Sequence, residues 1–311
     1  MRQKIIKITL VLLLALSLTG CTKYLKTDDN QAVFNEVTGQ RLTENILCQP
    51  EQEEVVKLYE ENDHNIDKLP HCSDMKFLEG GYEGIWTTIF VKPLAWLIIQ
   101  VGTFVKNYGL AIIIITLLIR LILLPITKKT AMQSENMKQA KPELEKLEKK
   151  YRGKTDPQSN QQKAQEMLMI YKKYNISPLS GCIFALIQIP LFFAFYESLN
   201  RLPAVFEETF LGFQLGTSPW VGITTGNYQY ILIVLLVIAA TYLSFKLNSS
   251  SSMSKEQEKQ MKLMTNIMVV MISIASFTIS TGIAVYWIIN STFTIVQNLF
   301  VKRRKKNDKE S

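Results

Sequence analysis

Arg120 stands in the run Leu117-Leu118-Ile119-Arg120-Leu121-Ile122, where every neighbour is aliphatic. A guanidinium stays protonated at any physiological pH. At the centre of a membrane-spanning helix such a charge costs about 2.5–3.5 kcal/mol even on a lenient insertion scale. No Asp or Glu lies in the middle of any apolar run, and Glu197 comes nearest, at the end of its own. Two outcomes are open: the long stem lets the head snorkel towards Lys128, or the head faces a water-filled cavity. Other polar residues in apolar runs favour the cavity. They are Thr116 one turn before Arg120, Gln188, and the set Asn290, Thr294 and Gln297. The last three sit at i, i+4 and i+7 on one helix face, with Trp287 one turn earlier. The plainer role for such residues is hydrogen bonding between helices. The chemistry on offer is electrostatic, because a wet, positive recess attracts anions and needs no nucleophile.

Four cysteines add a second constellation. Cys182 sits in an apolar run, while Cys48 and Cys72 lie in an acidic stretch with His64 and His71 close by. Outside the membrane a disulfide is permitted. A metal site is also open, but the spacing matches no common zinc pattern. Cys21 differs. Arg2, Lys4 and Lys7 precede the short apolar stretch Ile8 to Leu16, followed by Leu18-Thr19-Gly20-Cys21. This is the order of an export signal, and its last four residues resemble the lipobox of bacterial lipoproteins. The resemblance implies cleavage before Cys21 and a diacylglycerol on its sulfur; the alternative is an uncleaved signal anchor. Loss of residues 1–20 would lower the formal charge from +8 to +5.

These residues need elements to hold them. Of 311 residues, 47% are hydrophobic, and they are sharply partitioned. Apolar runs near 110–126, 180–196, 229–245, 264–280 and 282–300 alternate with charged stretches. A soluble core would break such runs into amphipathic pieces, whereas about 17–25 apolar residues suit a bilayer. Charge then orients the runs. Residues 22–84 hold six Lys/Arg against fourteen Asp/Glu, and residues 127–177 hold twelve against six. Residues 201–229 hold one against two, 246–263 four against two, and the stretch after Val301 six against two. Lys and Arg collect on the cytoplasmic side. So 127–177, 246–263 and the tail are expected inside, 22–108 and 201–229 outside, with five spans between them.

Residues 85–105 are apolar enough to resemble a sixth span. They contain Lys92-Pro93 and Gln100, Trp86 and Trp96 suit an interface, and a crossing here would put the basic 127–177 stretch outside. They read as a helix on the outer membrane surface. The expected organisation is a signal segment (1–20), an acidic outer segment (21–84) and an interfacial amphipathic helix (85–106). The first span (108–127) leads to a cytoplasmic helical hairpin (128–177). The second span (178–199), an outer loop (200–228), the third span (229–246) and a cytoplasmic loop (247–262) follow. The fourth span (263–280), the fifth (282–301) and a basic cytoplasmic tail (302–311) complete it. The acidic segment lacks periodic apolar residues and reads as a tether or a loosely folded piece.

In the hairpin, Leu144, Leu147 and Tyr151 recur at helical spacing until Arg152-Gly153-Lys154. Asp156-Pro157 fits an N-cap followed by proline at the first helical position. Met167, Leu168, Ile170, Tyr171 and Tyr174 stripe the second helix. The hairpin connects two spans; being basic, it also suits anionic lipid or an anionic partner such as a ribosome. The four serines at 249–252 mark a polar turn, and Ser280-Thr281-Gly282 a tight turn between the last two spans.

Taken in order, the motifs resemble the YidC/Oxa/Alb family of membrane protein insertases over roughly residues 85–305. The resemblance rests on Tyr108-Gly109-Leu110-Ala111-Ile112, Leu117 to Leu121 with Leu124-Pro125-Ile126, and Pro142-Glu143-Leu144. It continues through Asn175-Ile176-Ser177-Pro178-Leu179-Ser180-Gly181-Cys182, Gln188-Ile189-Pro190, Phe195-Tyr196, Phe210-Leu211-Gly212-Phe213 and Tyr286-Trp287. The lipobox and the absence of a large outer domain look like the Gram-positive branch, although the acidic segment is longer than expected there. The resemblance implies an all-α integral membrane protein with five transmembrane helices around a hydrophilic groove. The groove is open to the cytoplasm and to lipid, and Arg120 is its charge. It implies substrate contact by Trp287, and a cytoplasmic hairpin needed for activity. Nascent membrane proteins are the expected clients. The Sec translocon, a ribosome, a targeting receptor and membrane lipids are candidate partners. No cofactor, metal or specific nucleic acid is expected, since both histidines lie outside and no nucleotide loop is present. Two other classes compete. A solute transporter would show inverted repeats and intramembrane acids, and a lipid-anchored enzyme would show a polar catalytic cluster; neither pattern is visible.

Overall fold

The structure, a computed structural model, describes residues 22–177, 180–248 and 255–310. The signal segment, Cys21 and the four-serine turn lie outside them. The described residues are mostly helical and form two compact units. One comprises the chain up to Ile119 with Leu186–Val237 and Ile274–Asn290; the other comprises Arg120–Ala185, Ile238–Ser273 and the chain from Ser291.

The first unit begins with the acidic segment, which has a core of its own. Isolated bridges Tyr24↔Thr43, Lys26↔Ala32 and Phe34↔Arg41 tie three short extended segments into a closed triangle, each paired with both others. Leu25, Val33 and Leu42, bonded to one another through the backbone, all point inward and are buried. Helix α1 (Glu53–Glu60) lays Val55 and Tyr59, one turn apart, on the same core. Its entry is capped from another part of the chain: the backbone N–H groups of Glu51 and Gln52 donate to the Glu207 carboxylate at 3.0 and 3.3 Å. Such a carboxylate also suits the positive end of the helix dipole. The expected tether is thus a folded piece. Three-residue extended segments carry too little alternation to register as a pattern.

Cys48 and Cys72 are joined, with an S–S distance of 2.06 Å, and both sulfurs belong to the buried core. The bridge closes a sequence separation of 24, for which loop-closure entropy gives about 3 kcal/mol. Replacing both cysteines by alanine is expected to destabilise the outer segment by about that amount. Limited proteolysis under denaturant, with and without reductant, checks it; reductant should move the wild type and not the double variant.

The π-helical turn Thr87–Val91 leads into helix α2 (Lys92–Val105). Lys106, in the left-handed region at φ 54°, stops α2, and Asn107 starts helix α3 (Tyr108–Tyr151) by accepting the Leu110 N–H at 2.8 Å. Gly102 and Gly109 are required by close approach. A Cβ at Gly102 would meet the Tyr108 ring, and one at Gly109 the Phe210 ring. This accounts physically for the Tyr108-Gly109 pair. Helix α5 (Ser180–Asn200), the short helices α6 (Pro203–Phe206) and α7 (Pro219–Thr224), and the hairpin of β1 (Thr209–Phe210) with β2 (Phe213–Gln214) follow. Trp86, Ile98, Ile99, Ile112, Phe195, Leu199 and Tyr286 build the unit's apolar core.

A buried charge cluster lies beside that core. The Lys92 ammonium, 3% exposed, pairs with Glu83 at 2.8 Å and donates to the carbonyls of Glu79 and Gly81. Arg201, 2% exposed, pairs with the other Glu83 oxygen at 2.6 Å and donates to the Asn45 carbonyl. Burial raises the Glu83 carboxyl, but hydrogen bonds and charges from Lys92 and Arg201 outweigh it and hold the group below its ordinary 4.5. An acid held low when folded adds stability that is complete above its unfolded value and vanishes as pH falls through the folded one. Protease resistance of the outer segment is therefore expected to hold from neutral pH to about 4.5 and to fall below it. Glu83→Gln should flatten that acid limb in a pH series of limited proteolysis.

In the second unit α3 runs on without a break to Tyr151, through Pro125 and Pro142. The helix passes residue 127, the expected end of the first span, without interruption. At about 1.5 Å per residue, its 44 residues exceed twice the roughly 30 Å of a hydrocarbon core, so one helix serves both membrane and water. Helix α4 (Pro157–Lys173) starts at Asp156, whose carboxylate accepts the Ser159 N–H at 2.8 Å. It returns antiparallel to α3, burying Ala140, Leu144, Tyr171 and Ile176 together. Leu168, expected in the apolar stripe, is instead 55% exposed. Two matched clamps fix the register: Glu143 accepts from Lys173 and Tyr174, and Glu166 accepts from Lys150 and Tyr151.

Helix α8 (Tyr230–Asn248), helix α9 (Lys255–Ala275) and helix α10 (Thr281–Glu310) complete the chain. Helix α9 ends five residues before the expected end of the fourth span. The Thr278 hydroxyl donates to the Ala275 carbonyl, and the Phe277 carbonyl accepts from Trp220, so the backbone leaves the helix there. Helix α10 continues from the expected fifth span into the basic tail expected at 302–311, as far as Glu310. Among the described residues, Thr87–Val105, Tyr108–Tyr151, Tyr230–Leu247 and Thr281–Arg304 are long and apolar enough to cross a membrane; Lys262–Ala275 is apolar but shorter.

Candidate functional site

The site starts from helix periodicity. Thr116, Arg120, Thr127 and Ala131 fall on one stripe of α3, and exposure follows the stripe. Thr116, Arg120 and Thr127 are buried, Arg120 to 2%, whereas Ile122 is 75% exposed. A helix in water shows the opposite pattern. On α10, Asn290 and Thr294 are buried while Val296 and Phe300 face outward. These helices put polar groups inside and aliphatic groups outside.

Within the second unit, Arg120, Thr127, Thr130, Ala131, Thr294, Gln297 and Asn298 line one small cleft of about 10 Å³, room for about one water. The Thr127 hydroxyl lies within donating reach of Gln297 Oε1, at 3.1 Å, and of the Leu123 carbonyl, at 3.2 Å. The lining has one fixed positive charge with hydroxyls and amides that both donate and accept. It contains no thiol, imidazole or carboxylate, so it suits hydration and anion attraction rather than covalent chemistry. Of the residues singled out from sequence, the structure brings Arg120, Thr294 and Gln297 to this cleft.

Thr116, Gln188, Trp287 and Asn290 belong to the first unit. The Thr116 hydroxyl donates to the Ile112 carbonyl of its own helix at 2.6 Å. Gln188 is half-buried on α5. Trp287 meets Phe192 edge to face, with ring centroids 5.2 Å apart, and the adjacent Tyr286 stacks on Phe195 at 4.1 Å. Trp287 is thus one member of an aromatic cluster. Thr127, Thr130 and Asn298 were missed by sequence reasoning, although Thr127 is seven residues after Arg120 and Asn298 four after Thr294, so spacing alone carried the signal. The Glu83–Lys92–Arg201 cluster was missed too, since nothing in spacing links Arg201 to two residues more than 100 positions before it. His64 packs its ring on Tyr59, and among the described residues no three His, Cys, Asp or Glu side chains gather as a metal-binding set.

Comparison with known proteins places this geometry. The family model described as 60Kd inner membrane protein matches residues 100–309. The membrane protein insertase YidC of Oceanobacillus iheyensis is 35% identical, over 71% of this chain and 85% of its own. That of Alkalihalophilus pseudofirmus is 37% identical, over 70% of this chain and 82% of its own. A crystal structure of an active YidC insertase with its first transmembrane domain resolved has 22% identity and a TM-score of 0.47, covering 78% of this chain and 52% of its own. The family model takes in both helices that carry the buried polar stripes, and the chain belongs to the 60Kd inner membrane protein family, the YidC membrane protein insertases.

Proposed function

We propose that this chain inserts nascent membrane proteins into a bacterial cell membrane and helps them fold, through a hydrophilic groove that contains Arg120. One observation carries the reading: Arg120 is buried in a polar cleft on a helix whose aliphatic residues face outward. A client must drag a short polar outer tail across hydrocarbon. A wet, positive recess shortens the dry path and attracts acidic tails, and the client's own hydrophobic span then drives its release into lipid. The step is physical, with no covalent chemistry.

In this reading five helices span the membrane and the segment 85–106 lies on its outer surface. The Lys92 ion pair supports that placement, because it ties the start of α2 to the acidic outer segment. The hairpin of α3 and α4 and the basic end of α10 face the cytoplasm, consistent with their Lys and Arg content. Cys21 carries the lipid anchor on the outer face. Thr116, Gln188, Trp287, Asn290, Thr294 and Gln297 contact the client along its path. The hairpin meets the ribosome or a targeting receptor, and the Sec translocon joins for larger clients.

A photo-reactive residue at Thr294 or Thr130 tests the proposal. It should crosslink to a nascent single-span protein stalled on the ribosome. Absence of any crosslink, together with solute flux through reconstituted vesicles, would favour a transporter and sink the insertase mechanism.

A further inference from the structure

A second recess in the same unit differs from the Arg120 cleft in size and chemistry. It holds about 680 Å³ between α3 and α10, within the roughly 300–1,000 Å³ of pockets that bury a small molecule, and is lined by Leu124, Phe293, Val296 and Phe300 with Lys128 and Arg304. The two cations are ordered. Lys128 is one turn beyond Leu124, with Met132 one turn further on, and Arg304 is one turn beyond Phe300, so both cations lie towards the end proposed to face the cytoplasm. From Phe293 to Arg304 an apolar strip runs about 16 Å, half of the roughly 30 Å hydrocarbon core. That is the depth of one leaflet.

We propose that this recess is a binding site for an anionic phospholipid of the inner leaflet. One acyl chain lies along Val296 and Phe300, and the phosphate sits between Lys128 and Arg304. Charge complementarity selects the headgroup, since each Lys or Arg near a membrane surface attracts anionic lipid and Arg304 can grip a phosphate in bidentate fashion. Leaflet depth selects a lipid over a free phosphate, which would leave the apolar strip unfilled. Gln297 lines both this recess and the Arg120 cleft, so the two adjoin; the lipid site extends from that shared wall to Lys128, about 12 Å along the helix from Arg120.

The test uses the full-length protein in nanodiscs of phosphatidylglycerol or phosphatidylcholine. Retained lipid is counted by native mass spectrometry after detergent exchange. Wild type should keep one phosphatidylglycerol in at least about tenfold preference to phosphatidylcholine, as two basic contacts imply. K128Q/R304Q should lose that preference. Val296→Trp, which fills the strip and keeps both cations, should lose retention of either lipid. Equal retention of the two lipids by wild type, or unchanged selectivity in K128Q/R304Q, overturns the proposal. So does a photo-crosslinker at Val296 that labels a client rather than lipid, because a client segment would then be the occupant. Arg120→Ala separates this site from the groove: intact lipid selectivity with unchanged insertion of acidic-tailed clients strikes at the groove alone, whereas lost lipid selectivity in that variant strikes at the separate lipid site.

Discussion

Arg120→Ala is expected to block insertion of clients whose short outer tails are acidic, while clients with neutral tails lose little. The buried guanidinium is a fixed charge that needs no reorganisation when an acidic side chain arrives. At an effective dielectric of about 20 and about 4 Å, one such pair is worth roughly 4 kcal/mol; partial hydration of the cleft lowers this. A loss of at least about tenfold in insertion follows for one acidic residue, since ~1.4 kcal/mol is a factor of ten. Neutral tails should change by less than about threefold, through altered hydration alone. Arg120→Lys keeps the charge on a thinner head and should retain part of the activity. Protease protection of client tails in reconstituted vesicles reads all three. If Arg120→Ala were fully active on acidic tails, the residue would be structural only. Thermal stability of each variant must be measured alongside, because Arg120 is 2% exposed and its removal empties volume.

Glu83→Ala is expected to destabilise the first unit by about 1–3 kcal/mol, less than a fully buried ion pair would lose, because the Glu83 side chain is 32% exposed and water screens it. Glu83 serves two buried cations, Lys92 and Arg201. Lys92 keeps only the carbonyls of Glu79 and Gly81 without it, and Arg201 keeps the Asn45 carbonyl. The uncompensated charge, more than the lost attraction, is what costs energy. Glu83→Gln with Lys92→Met should therefore be more stable than Glu83→Ala alone. Denaturant titration monitored by proteolysis of the outer segment decides it. Equal stability of Glu83→Ala and wild type would mean that water reaches both cations.

What was readable in the sequence follows the range of the interaction. Arg120, Thr294 and Gln297 stood out because charge and amide are conspicuous among aliphatic residues, and helix periodicity then put them on definite faces. Thr127 and Asn298 obey the same periodicity but lie where apolar runs give way to polar ones, so composition hid them. The closed triangle around Leu25, Val33 and Leu42 was illegible, since its extended segments are short and its pairings are set by tertiary contacts. The end of α9 at Ala275 depends on Trp220 bonding the Phe277 carbonyl, a partner 57 positions away. Glu207 capping α1 is of the same kind. Leu168 has the right spacing, yet α4 is rotated so that Tyr171 packs with Ala140, Leu144 and Ile176 and Leu168 is left outside.

The unbroken α3 has a mechanical consequence. From Arg120 to Tyr151 the helix is a lever of about 46 Å, with its long arm in water and its short end at the buried charge. Pro125, five residues from Arg120, and Pro142 each lack the N–H that would bond one turn back, so the rod has a weakened rung next to the buried charge and another in its far arm. Under the proposed docking of a large particle on the hairpin, torque along the rod bends it at these rungs, and the bend at Pro125 turns the segment that holds Arg120.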